Sequence, residues 1–137
     1  MGEDRASMYI KRTLLMKEDK IAGLIQCGRQ NNEDAIYKLF TETEIAYCAK
    51  RIKCLGARFI IKKCVLDYLV HEKRYRGNNY REIEVVHNEL GQPFLRTFGD
   101  VREYINELRI KDILISISHS KNWLTGMVLF CYETCPS

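Results

Sequence analysis

A chain of 137 residues, 46% apolar and 29% charged, fits one globular domain that buries roughly two-thirds of its unfolded surface without disulfide staples. Its net charge of +4 suits docking onto an acidic partner but is too small and too scattered for a nucleic-acid binder. No apolar run approaches membrane-spanning length and no signal segment opens the chain, so the expectation is a soluble cytoplasmic domain over residues 1–137, with 1–8 frayed.

Tyr9–Leu15 reads as a first strand. A helix follows over residues 17–27, where Ile21, Leu24 and Ile25 share a face and Gly28 stands at the C-terminal glycine position. A short helix is expected from about Asn32 to Leu39. The next signal is stronger, because Thr41 and Glu44 are spaced as a capping box and Phe40 and Ile45 as its hydrophobic staple. The helical pattern then runs to about Val70, with a break expected near Gly56 and an apolar stripe of Ile52, Leu55, Phe59, Leu66 and Leu69. Beyond the basic segment HEKRYRGNN the period changes to two. Tyr80–Val86 and Phe94–Phe98 form a hairpin around the turn NELGQP, and Asp100 is placed to cap a helix ending near Leu108. Ile113–Ser118 and Leu124–Tyr132 close the chain as a second hairpin through HSKN. This order predicts an α+β fold, an antiparallel sheet with a long helix packed on it.

The six cysteines contain no CxxC pair, and the three histidines show no ligand spacing relative to them. They read as small buried side chains in a reducing compartment. Ser118 and Ser120 read as turn residues, whereas His119 at a strand end suits either a structural hydrogen bond or general-base and phosphate work. Trp123 reads as a strand anchor. Lys63 and Asp67, one helical turn apart, read as a solvated pair, although the apolar residues on either side leave little exposed width.

Four blocks, LFTETEIAYC (39–48), ARFIIKK (57–63), YREIEVVHNELGQPFL (80–95) and ISISHS (115–120), together resemble the holo-acyl-carrier-protein synthase family of 4′-phosphopantetheinyl transferases, in order and spacing, across residues 39–132. The resemblance implies a 4′-phosphopantetheinyl transferase-like fold, commonly a homotrimer with each site at a subunit interface. It implies transfer of phosphopantetheine from coenzyme A to a serine of an acyl carrier protein, as in fatty acid or polyketide biosynthesis. It also implies magnesium held by an aspartate and a glutamate, with a lysine one turn further on. Arg58, Lys62, Ser118 and His119 fall at cofactor-binding positions, and Lys17 and Lys20 are set to meet an acidic carrier.

The resemblance stops where the chemistry lies. Arg58, Phe59 and Lys62 match the family pattern, but the metal-binding glutamate falls on Lys63 and the catalytic lysine on Asp67. The Gly-x-Asp of the first strand has no counterpart before Lys17, and its aspartate falls near Leu14. The glycine loop after the long helix is replaced by VHEKRYRGNN. An ammonium repels magnesium, so no metal site is expected. Three readings follow. The first is a divergent family member that engages a carrier protein or its tethered intermediate, with Lys63, Asp67 and His119 as acid–base candidates. The second is a working transferase in which Lys63 supplies part of the metal's charge. The third is a subunit kept for oligomeric packing alone.

Overall fold

The computed structural model describes residues 8–23, 34–49, 51–72, 75, 77 and 79–133. The glycine stop at Gly28, Cys27, Cys135 and much of the basic segment lie outside them. The elements are β1 (Tyr9–Lys17), α1 (residues 18–23), α2 (Asp34–Leu39), α3 (Glu42–Cys48), α4 (Ile52–His71), β2 (Ile83–His87), β3 (Pro93–Thr97), α5 (Gly99–Glu107), β4 (Ile110–Ser120) and β5 (Trp123–Tyr132). The strands divide into two antiparallel sheets, one ordered β1-β5-β4 and the other the β2-β3 hairpin. The expected strand at Tyr80 begins instead as a single 3₁₀ turn, Tyr80–Glu82.

α3 starts as its residues dictate. Thr41 Oγ1 accepts from Glu44 N at 3.3 Å, while Glu44 Oε1 accepts from Thr41 N at 3.0 Å. Phe40 is fully buried, with Ile45 packed on the same cluster. The break between α3 and α4 comes at residues 49–51 and not at Gly56. Ala49 takes φ 52°, and Arg51 turns back to donate to the Cys48 and Tyr47 carbonyls at 3.0 and 2.9 Å, which satisfies the end of α3. Gly56 lies within α4 for a different reason. A Cβ there would stand 2.6 Å from Ile21 Cγ2 and 3.1 Å from Leu124 Cδ1, so the glycine lets α4 cross α1 and β5 closely.

α4 is buried on nearly every side, including Arg58 and Lys62. It packs on the face of the large sheet that carries Leu124, Val128 and Phe130, and Ile60 presses on Gly126, where a Cβ would collide with it. The core continues through Val65, Leu69, Ile83, Val85, Val101 and Ile105 to the small sheet and α5. α5 is capped from outside its own sequence. Its N-cap Phe98 makes no side-chain bond, and Glu82 Oε1 accepts from Val101 N at 3.0 Å, a role expected of Asp100. Among the described residues nothing covers the other face of the large sheet, where Leu15 is 53% and Leu114 56% exposed. Among the described residues no helix is long and apolar enough to cross a membrane.

Candidate functional site

The charges of α4 fall into three environments according to which side of the helix they leave. Lys62 points inward and is wholly buried. Its ammonium pairs with Glu44, donates to the Leu39 carbonyl at 2.8 Å and sits 5.1 Å from the centre of the Phe40 ring. Glu44 also accepts from Val85 N at 2.9 Å, and Thr41 donates to Glu84 at 2.7 Å, so α3, α4 and β2 are joined by one polar network. Burial outweighs the attraction of Glu44 and lowers the Lys62 pKa to about 8. This corrects the expectation of Lys62 as a phosphate contact, because its charge is enclosed between α3 and α4. The capping box was legible in the sequence, but the second role of Glu44 as the partner of Lys62 was not.

Arg58, one turn earlier, is buried against the small sheet. It donates to the Cys54 carbonyl at 3.2 Å, lies 4.7 Å from the Tyr47 ring centre and reaches His87 Nδ1 at 3.3 Å. His87 therefore presents Nδ1 as acceptor, and its ring stacks on Tyr47 with centroids 4.8 Å apart. Burial, and then the neighbouring guanidinium, lower the His87 pKa. Among the described residues Arg58 Nε has no hydrogen-bond partner. His87 and Tyr47 carried no signal in the sequence, because each meets Arg58 only across long chain separations.

Lys63 and Asp67 point outward. Lys63 Nζ and Asp67 Oδ2 are 3.4 Å apart, with side chains 37% and 61% exposed, a geometry that contributes about 0.3–0.5 kcal/mol. Asp67 borders a cleft of about 370 Å³ between α4 and β1, lined also by Arg12, Thr13, Leu14, Cys64, Tyr68 and His71. The Arg12 guanidinium lies 5.2 Å from the Tyr68 ring centre, and the Tyr68 hydroxyl bonds to that of Tyr132. Burial and the Tyr132 contact push the Tyr68 phenol far above its ordinary range, and burial, then Asp67, pushes the Cys64 thiol up to about 11. Neither group ionises near neutrality. The other polar side chains of the cleft are Arg12, Thr13, Asp67 and His71. Arg12 was missed, although it lies two residues before Leu14 and so on the same face of β1.

Ser118 and His119 are exposed at the far end of β4, opposite Thr125 and Leu124 of β5. β5 separates them from β1, and neither lines the cleft. One chain therefore brings together Leu14 and Asp67, with Lys63 alongside, but not His119. Lys17 and Lys20 are exposed, Lys17 5.6 Å from the ring centre of the partly exposed Trp123, which faces the uncovered side of the sheet. The cysteines depart from expectation. Cys64 and Cys131 are free and buried, but Cys48 and Cys54 form a disulfide.

No protein-family model matches the chain. A holo-[acyl-carrier-protein] synthase of Dehalococcoides mccartyi (strain CBDB1) is 34% identical over 97 residues, 71% of this chain and 79% of the relative. The chain belongs to the holo-[acyl-carrier-protein] synthase family. Its fold is that of the family's solved structures as well. The Chronobacterium ammoniagenes synthase in complex with CoA aligns over 92% of this chain and 98% of its own at TM-score 0.72 and 21% identity. The Plasmodium yoelii holo-ACP-synthase covers the same shares at TM-score 0.73 and 17% identity. Both likenesses extend to residues before Phe40, where the sequence blocks do not reach.

Proposed function

We propose that this synthase-family chain engages an acyl carrier protein, or the phosphopantetheine-tethered intermediate on one, without ordinary magnesium-dependent transfer. The cleft beside β1 carries this reading. Magnesium is held by about six oxygen ligands in near-octahedral geometry, commonly from carboxylates and water. Among the described residues Asp67 is the one carboxylate that lines this cleft, its Oδ2 lies 3.4 Å from the Lys63 ammonium, Thr13 adds a single hydroxyl, and Leu14 offers no donor. Such a donor set does not fit magnesium, and no step is routed through it.

In this reading residues 1–137 act as one domain in the cytoplasm. Asp67 and Lys63 are the acid–base candidates at the cleft, and exposed Lys17 and Lys20 face the acidic carrier. Arg58, Ser118 and His119 are the candidates for coenzyme A or pantetheine contact. β5 lies between His119 and the cleft, which supports a site completed between copies, and the uncovered sheet face supports assembly into a homotrimer. Mass spectrometry of apo carrier proteins incubated with coenzyme A and magnesium tests the reading. The expected result is no phosphopantetheine gained while carrier binding is retained.

A second reading keeps transfer from coenzyme A, with Arg12 and Lys63 offsetting pyrophosphate charge. It is favoured by a fold shared with a synthase solved as a CoA complex. A carrier that gains phosphopantetheine, and loses that gain with Lys63→Ala, would establish it in place of the first.

A further inference from the structure

We propose that the Cys48–Cys54 disulfide is a thiol-exchange site, at which a small aliphatic thiol is taken up on Cys54 and Arg58 stabilises the Cys54 thiolate released on reduction. The two cysteines come together because α3 ends at Cys48, the chain reverses at Ala49 and Arg51, and α4 brings Cys54 back with its Cα 5.4 Å from that of Cys48. The sulfurs differ in access. Cys48 is fully buried, whereas Cys54 is partly exposed in the first turn of α4.

What distinguishes this disulfide is the cation on it. Arg58 Nη1 lies 3.2 Å from Cys54 Sγ, on the next turn of the same helix. In the oxidised state that sulfur is neutral and a poor partner for a guanidinium. The rest of the Arg58 surroundings is also thin in negative charge. His87 offers a neutral ring nitrogen, Tyr47 a ring face and its hydroxyl, Cys54 a carbonyl, and Nε has no hydrogen-bond partner among the described residues. Desolvation outweighs the field of Glu44 and lowers the Arg58 pKa. A buried cation so placed gains a full counter-charge when the adjacent sulfur becomes a thiolate. Access directs the first attack to Cys54, because Cys48 is fully buried, and the cation beside Cys54 favours its thiolate and makes it the better leaving group from the mixed disulfide in the second step. Reduction is therefore coupled to relief of an underpaired arginine.

The exchange balances as follows. A thiolate of the small thiol attacks Cys54 Sγ, the S–S bond breaks, and Cys48 leaves and takes up a proton. A second thiol attacks the mixed disulfide, forms the small-molecule disulfide and expels Cys54 as a thiolate against Arg58, releasing its own proton to solvent. Two thiols are oxidised to one disulfide and the protein pair is reduced by two electrons. Arg58 is the cation in contact with the sulfur, and the charged and titratable groups that act on Arg58 in turn are Glu44 and Tyr47 on α3, Arg51 before α4 and His87 on β2.

The experiment uses the full chain, purified without reductant and equilibrated in graded glutathione buffers, with alkylation and peptide mass spectrometry. Expected are a Cys48–Cys54 cross-link at the oxidising end, a glutathione adduct on Cys54 and none on Cys48 at intermediate poise, and a free Cys54 at the reducing end. In Cys48→Ser, which leaves Cys54 as a single thiol beside an unchanged arginine, half-maximal alkylation of Cys54 should fall at least one unit below the ~8.5 of an ordinary cysteine. Arg58→Lys should keep much of that shift and Arg58→Gln should abolish it. Absence of the cross-link at every poise, an adduct on Cys48 in place of Cys54, or a midpoint in Cys48→Ser at or above the ordinary value would each overturn the proposal. The Cys48→Ser measurement stands even if Arg58→Gln fails to fold.

Discussion

Lys62 and Lys63 are neighbours in sequence with opposite physical roles, and the difference is worth several kcal/mol. Lys62→Met leaves the Glu44 carboxylate buried beside Val85 without its ammonium, and removing one partner of a buried pair costs about 3–5 kcal/mol. Denaturant unfolding should show that loss for Lys62→Met, against at most about 0.5 kcal/mol for Lys63→Ala, whose partner is exposed. His87 belongs to the same scale. Its folded pKa lies below the ordinary histidine value of about 6.5, so the unfolded chain binds the extra proton first as pH falls. The contribution of neutral His87 is fully present above about pH 6.5 and is lost as pH drops through the folded value. Thermal unfolding from pH 7.5 to 5 should thus fall more steeply for the natural chain than for His87→Gln.

At the level of elements, two glycines set how closely α4 approaches its neighbours. A methyl at Gly126 would collide with Ile60, a β-branched side chain held on a buried helix, and would meet Ile61 Cδ1 at 3.2 Å. Overpacking of this kind costs about 1–3 kcal/mol, and Gly126→Ala should lower stability by that amount. Gly56→Ala makes a similar collision with Ile21, but a helical alanine recovers about 1 kcal/mol over glycine, so its loss should be the smaller of the two. The sequence pattern placed a break at Gly56 because a glycine weakens a helix locally. Packing decided otherwise, since a helix that crosses two elements at once needs a residue without a side chain there. The same applies to Glu82, which caps α5 from 19 residues away, a partner no local spacing announces.

On the scale of the molecule, the large sheet is covered by α4 on one face and, among the described residues, by nothing on the other. A single sheet face carrying Leu15, Leu114 and Trp123 is the natural seam for the homotrimer under the proposed function. Light scattering should show the natural chain as a trimer and Leu114→Glu as a smaller species, with secondary structure unchanged because the residue is outside the core. A monomeric natural chain would remove that assembly and with it any site shared between copies. Restoring the family's residues together, Leu14→Asp, Lys63→Glu and Asp67→Lys, should introduce magnesium-dependent carrier modification if the cleft alone limits the chemistry. Failure with the trimer intact would place the limit elsewhere, at His119 or in carrier docking.

The sequence by itself determined what depends on neighbours along the chain: the capping box at Thr41 and Glu44, the helical run of α4, the two hairpins and the family blocks. These are readable because residues within four of each other carry the signal. Only the tertiary structure decided which charges are enclosed and which face water. It put Lys62 against Glu44, Arg58 between Tyr47, His87 and Cys54, Arg12 into the cleft with Asp67, and His119 across the sheet from them. Burial is set by what packs on each face from distant parts of the chain, and the energy of a charge depends on burial far more than on its place in the sequence.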